Sequence, residues 1–322
     1  MSHEVEQMAY VGDTPWHGLG NELQVGQPLE VWARQAGMDW DILESSVHYS
    51  TGETDGHETM LSFPQHKVLF RSDSRAPLSV VGQRYNVVQP REILEFYRDL
   101  TEKSGFELET AGVLKGGRKL WALAKTGQQG TLSGNDRTEG YVLLATACDG
   151  SLATTAQFTS VRVVCNNTLA VSLDNARTAV KVRHSTTFDA ADVKKRLGIS
   201  VSAWDEFMYR LKTLSERKVQ HAEAERFLRT VFAEPASREH PDAPRVNERA
   251  AARAQALFDG DGRGADLPSS RHTAYGLLNA VTEFVDHERR ARSADYRLDS
   301  AWFGQGAALK QKALEQATAL VT

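Results

Sequence analysis

With 322 residues, 41% of them apolar and 25% charged, the chain is long enough for one large or two modest domains and lies far from the composition that leaves segments unfolded. Its formal net charge of −4 excludes a uniformly basic nucleic-acid binder, so any such surface has to be local. No stretch has the basic start and apolar core of a signal peptide or the ~18 apolar residues of a membrane span, which gives the expectation of a cytoplasmic protein without a membrane partner.

In chain order, Thr14-Pro15-Trp16-His17-Gly18-Leu19-Gly20 reads as a packed loop, because proline and glycine forbid regular structure there. Pro28 opens a short helix through Ala36, with Leu29, Val31, Trp32 and Ala36 as its apolar side and Gly37 as the stop. From Trp40 to Phe70 the pattern changes to alternation, and strands begin. Leu78 to Val88 is β-rich around Gly82, and Pro90 opens a helix with Ile93, Leu94, Phe96, Tyr97 and Leu100 at helical spacing, ended by Gly105.

Two hairpins follow. The first runs from Phe106 to Leu114, turns at Lys115-Gly116-Gly117 and returns as Arg118 to Lys125; the second runs from Tyr141 to Cys148, turns at Asp149-Gly150 and returns through Phe158. Between them, the polar, glycine-rich Gly127 to Thr138 is expected as an exposed, mobile loop. Beyond about Thr187 the pattern is helical, with stripes at Trp204, Phe207, Met208, Leu211, Leu214 and at Leu277, Leu278, Val281, Phe284, Val285. Proline-rich Glu234 to Arg245 and glycine-rich Asp259 to Gly264 read as linkers. The expected fold is α+β, an antiparallel β-hairpin sheet flanked by helices and followed by a mostly helical C-terminal region, with a core domain over 1–186 and the helical region over 187–322.

Motifs for chemistry are sparse. Cys148 and Cys165 sit among apolar residues and read as buried free thiols, since neither a disulfide framework nor a CxxC metal signature exists. Asp259-Gly260-Asp261-Gly262-Arg263-Gly264 starts like a calcium loop, but Arg263 stands where an oxygen ligand is needed and Ser270 where a bidentate glutamate belongs. His17, His48, His57 and His66 lack metal-site spacing, and no Walker, GxSxG or dinucleotide loop occurs, so neither metal nor cofactor is expected. The tip bearing Lys115, Arg118, Lys119 and Trp121 offers phosphate neutralisation beside a stacking face, although basic hairpin tips also serve solubility. Arg84, Arg162, Lys181 and Arg183 lie in or just after strands, where a cation needs a partner. Arg177 to Arg196 is a locally basic stretch.

Asp149-Gly150-Ser151 followed by Ser160-Val161-Arg162-Val163-Val164-Cys165-Asn166-Asn167-Thr168-Leu169 is similar to the central signature of the domain-of-unknown-function 932 family. Arg84 to Gln89 resembles that family's aromatic entry strand, and Thr273 to His287 with Phe303 to Ala307 resembles the tail of its phage/plasmid-like branch. The resemblance implies a setting on mobile elements. The order of helix, curved hairpins and helix is similar to Rad/Erf-type single-strand annealing proteins, which form rings around single-stranded DNA.

Three functional readings stay open. In the first, Arg84, Lys115, Arg118, Lys119, Arg162, Lys181 and Arg183 bind single-stranded DNA with stacking by Trp121 or Tyr85, and the helical half forms a homo-oligomer. In the second, the protein is an interaction or regulatory module whose partner is a host or phage protein. In the third, an enzyme site is assembled from Asp149, Asn166, Asn167, Glu283, Asp286 and His287, with Asn279 nearby, against the simpler reading of a solvated helix face.

Overall fold

The computed structural model describes residues 5–12, 20–54, 57–165, 167–170, 179–201, 204–233 and 245–321. The expected packed loop at Thr14 to Leu19, with His17, lies outside the described residues, as do Asn166, Arg177 and 234–244 of the proline-rich linker. The strands are β1 (Val5–Val11), β2 (Asn21–Leu23), β3 (Ile42–Thr54), β4 (His57–Arg71), β5 (Pro77–Gly82), β6 (Glu107–Leu114), β7 (Lys119–Leu132), β8 (Asp136–Ala147), β9 (Thr154–Arg162), β10 (Asn167–Ala170) and β11 (Ala179–Val182). The helices are α1 (Leu29–Gln35), α2 (Pro90–Ser104), α3 (Ala190–Val201), α4 (Trp204–Glu216), α5 (His221–Val231), α6 (Glu248–Ala256), α7 (Ala274–Glu283), α8 (Ala294–Phe303) and α9 (Gln305–Thr318). The fold is α+β, with a helical C-terminal region.

The chain forms two compact units, 1–126 with 142–157 and 179–198, and 127–141 with 158–178 and 199–322. The strands β7, β8 and β9 are each long enough that their two ends belong to different units.

In the first unit the larger sheet has the order β9-β8-β7-β6-β1-β2, with β11 antiparallel to β9, and a second sheet has the order β3-β4-β5. Strand β1 runs antiparallel to β6, β6 to β7, β3 to β4 and β4 to β5, whereas β1 and β2 are parallel. The strand expected around Gly82 stops at that residue, and Gln83 to Gln89 is turn and coil. Helix α2 starts at Pro90, where the missing amide costs nothing, and Glu92 accepts the Gln89 amide at 2.7 Å. Its Ile93, Leu94, Phe96 and Tyr97 are all buried, and the Tyr97 hydroxyl donates to the carbonyls of Ala122 (2.7 Å) and Val142 (3.1 Å), which fixes the helix over β7 and β8. At the first hairpin tip Lys115, Gly116 and Gly117 all take left-handed backbone angles, and a side chain at Gly117 would meet the Trp40 ring.

In the second unit, Gly127 to Thr138 is a hairpin and not the expected exposed loop. The end of β7 turns at Ser133 to Asn135 and returns as β8, with Leu132, Asp136 and Thr138 buried. Two of those three inward positions are polar, so the alternation carries no hydrophobic signal. Helix α4 buries Trp204, Phe207, Leu211 and Leu214, and Trp204 meets Phe158 of β9 with ring centroids 5.7 Å apart. Helix α7 is buried at every position, and the Thr273 hydroxyl caps it by accepting the Gly276 amide at 3.0 Å.

Gly276 lets α7 approach the chain before it: an added Cβ would collide with the Ser270 carbonyl. Gly276→Ala is expected to lower unfolding free energy by about 2 kcal/mol despite alanine's better helix propensity, because a backbone clash outweighs it. Urea unfolding of the two proteins measures this; equal midpoints would show that the backbone gives way freely.

Candidate functional site

The candidate cations divide by environment. Arg84, Arg118, Lys181 and Arg183 of the first unit are exposed, and among the described residues none of them makes an ion pair. Lys115 is half-buried. Lys119 and Trp121 are buried, so neither presents a surface for a ligand. The reason is that β7 is covered on both faces from Lys119 to Ala124, which removes the alternation that would have turned one of them outward.

Backbone and aromatic contacts bring the segments that carry the exposed cations to the turn between β8 and β9. The Tyr85 ring stacks on His184 at 4.4 Å and its hydroxyl donates to the Ala147 carbonyl at 2.5 Å. The Asn86 amide donates to the His184 carbonyl at 2.6 Å, and His184 Nε2 lies 3.0 Å from the Leu152 carbonyl. Arg84 and Arg183 therefore flank one aromatic pair. Arg118 joins them because its carbonyl accepts the Cys148 amide at 2.9 Å, and Lys181 is paired with Thr155 on β9. Asp149 sits in the same turn, half-buried, with its Oδ1 accepting the Ser151 amide at 2.9 Å. Burial raises the Tyr85 phenol and pushes the Cys148 thiol up to about 12, so both are neutral at physiological pH.

Arg162, of the second unit, is different. It is 4% exposed and Asp136 is 1% exposed, and the two form a forked pair: Nε donates to Oδ1 at 2.9 Å and Nη2 to Oδ2 at 2.7 Å. Nη2 also donates to Ser270 Oγ (2.8 Å) and the Gly264 carbonyl (3.2 Å), while Ser269 donates to Asp136 at 2.6 Å. The guanidinium lies 5.4 Å from the Tyr275 ring centroid. Burial opposes its charge, but the Asp136 hydrogen bonds, with Tyr275 and Cys165, hold the proton more tightly than usual. Cys165 and Tyr275 are pushed up to about 12 by burial, against the pull of Arg162. Arg162 is thus saturated, and it leaves the set of residues that could meet DNA.

Four residues of the enzyme reading, and one that sequence reasoning missed, form the continuation of this cluster. Asn167 donates to Thr282 (3.1 Å) and its Oδ1 lies 3.1 Å from His287 Nε2, which makes His287 the donor. The Thr168 amide donates to Asp286 at 2.8 Å, and the buried Lys310 Nζ donates to Asp286 (2.7 Å) and Thr168 (2.8 Å). Glu283 accepts the Arg263 amide at 3.0 Å. Burial raises the Glu283 carboxyl and lowers both the His287 imidazole and the Lys310 amine. Asp149 belongs to the other unit and Asn166 lies outside the described residues. The cavity beside Arg162, Ser270 and Glu283 measures about 10 Å³, room for about one water. Of the calcium-like carboxylates, Asp261 is taken by Arg253 at 2.6 Å.

Residues 77–302, more than half of the chain, match the family described as domain of unknown function 932. The chain belongs to that family. No curated protein and no solved structure matches it. The domain-of-unknown-function 932 match takes in both the cation face and most of the buried cluster, with Lys310 of α9 beyond its end.

Two outcomes follow for the cluster. Asp136→Ala leaves a buried arginine uncompensated and should cost about 3–5 kcal/mol, whereas Asp136→Leu combined with Arg162→Met should cost far less; chemical denaturation separates these. For His287, the folded value lies below the ordinary 6.5, so between the two the unfolded chain binds a proton that the folded chain does not. Its stabilising share is full above pH 6.5 and is lost as pH falls through 6.5 toward the folded value. His287→Gln keeps a donor for Asn167 without titrating, and the stability difference between the variant and the parent should shift in the variant's favour from pH 8 to pH 5; a constant difference would refute the assignment.

Proposed function

We propose that the protein binds single-stranded nucleic acid through the exposed cations of its first unit, Arg84, Arg118, Lys181 and Arg183, with Lys115 at the margin. The setting is recombination or replication of a mobile element, as the family resemblance implies. The observation that carries this reading is that Arg84 and Arg183 adjoin the stacked Tyr85–His184 pair in the chain and that they, Arg118 and Lys181 are exposed and without ion pairs among the described residues. Phosphates can replace water on such cations at little desolvation cost, and an aromatic pair between them suits splayed bases better than a stacked duplex. The net charge of −4 does not oppose it, because the acidic residues elsewhere are screened within about a Debye length of ~8 Å.

Fluorescence polarisation with a labelled ~40-nucleotide single strand, with duplex as control, tests the proposal. Binding should prefer the single strand and weaken with salt, each lost phosphate contact lowering the log–log slope by about 0.7. The triple variant Arg84→Glu, Arg118→Glu, Arg183→Glu should bind at least about tenfold more weakly, while Lys119 and Trp121, being buried, make no contact. No binding at low salt, or equal binding by the triple variant, refutes the proposal.

A further inference from the structure

The second unit contains an open cavity of about 1070 Å³, slightly larger than the usual range for small-molecule sites, whose lining is separate from the residues of the buried cluster. Its lining is strongly asymmetric in charge. Arg249, Arg289, Arg290 and Lys312 face it, and the one carboxylate among its described lining residues is Glu288. Both oxygens of Glu288 are held by Arg253, at 2.5 and 2.7 Å, so that carboxylate neutralises a cation other than these four. Arg289 is oriented by neutral partners, Ser300 Oγ and Gln305 Oε1, each at 2.9 Å, and Lys312 donates to the Ala233 carbonyl at 3.1 Å. Arg249 and Arg290 are exposed and make no ion pair among the described residues.

The wall opposite in character is aromatic and aliphatic. Phe232 and Phe284 meet edge to face, with centroids 5.3 Å apart, beside Leu309. Four positive charges without a free counter-charge among the described residues call for a ligand with more than one negative charge. The volume exceeds what a lone phosphate fills, and the Phe284 side suits a flat ring. We propose that this cavity binds a phosphorylated small molecule that carries a planar ring, of the nucleoside diphosphate class. The arginines take the phosphates and the phenylalanine wall takes the ring. Hydrogen bonds to Ser300 and Gln305 hold the Arg289 fork in place before the ligand arrives, which reduces the ordering cost of binding.

Isothermal titration of the full chain with ADP, and separately with adenosine and with inorganic phosphate, tests this. ADP should bind, with each fragment at least about tenfold weaker, because charge and ring contribute together. The double variant Arg249→Glu, Arg290→Glu alters two exposed, unpaired side chains, so its fold should persist, as circular dichroism would check. Its ADP affinity should fall by at least about tenfold. The proposal is overturned by the absence of ADP binding at millimolar concentration, by phosphate or adenosine binding as tightly as ADP, or by a folded double variant that binds ADP unchanged. A double variant that failed to fold would be replaced by the single Arg290→Gln, read by the same criterion.

Discussion

The forked Arg162–Asp136 pair is the constraint on which the second unit depends. Two charges withdrawn from water each cost several kcal/mol, and their attraction offsets that only when every remaining donor and acceptor is satisfied. That condition accounts for the arrangement around them. Ser269 and Ser270 supply hydroxyls to the two partners, and the carbonyls of Arg263 and Gly264 accept from the guanidinium. The loop from 262 to 270 is therefore shaped by the needs of one arginine. Helix α7 follows directly, capped by Thr273 and pressed close at Gly276, so the position of the most buried helix is tied to the same pair.

The polar cluster continues along α7 by the same logic. Asn167 and Thr168 open β10 and turn their polar atoms toward Thr282, Asp286 and His287, and Lys310 closes the arrangement from α9. A cluster this dry and this fully bonded resists rearrangement, because each lost bond strands a buried polar atom at about 1–3 kcal/mol. Burial is the largest cause of the shifts at Glu283, His287 and Lys310. The exposed cations of the first unit have the opposite physics: they are open to water and, among the described residues, make no ion pair, so they can exchange water for an anion.

What was legible in the sequence follows from which residues carried the pattern. Helix α2 and the hairpin at Asp149-Gly150 could be read because apolar side chains repeat at helical or strand spacing and the turn residues allow few conformations. The hairpin between β7 and β8 could not, because its inward positions include Asp136 and Thr138. An arginine flanked by Val161 and Val163 announced that it needed a partner; that the partner lay 26 residues earlier in a polar glycine-rich stretch was beyond local inference. Lys310 carried no signal of its own in the sequence, and only packing against Asp286 reveals it as buried. The aromatic beside a basic hairpin tip misled for a related reason, since a central strand covered on both faces has no outward side.

These placements bear on how family membership should be used. Of the residues through which the chain resembles its family, Arg162, Cys165, Asn167, Thr168 and several in the run from Thr273 to His287 build or surround the buried cluster. A signature of that kind specifies how strands and helices are locked together, and it transfers fold far more securely than activity. Function in such a protein has to be sought where the signature is silent and the charges are unsatisfied. Of the four cations on the exposed face, only Arg84 falls in a segment that carries the resemblance, and Arg249 and Arg290 fall in none. In this chain the surface cations stand outside the bonding of the buried lock, so substitutions at them should leave the Arg162–Asp136 pair intact.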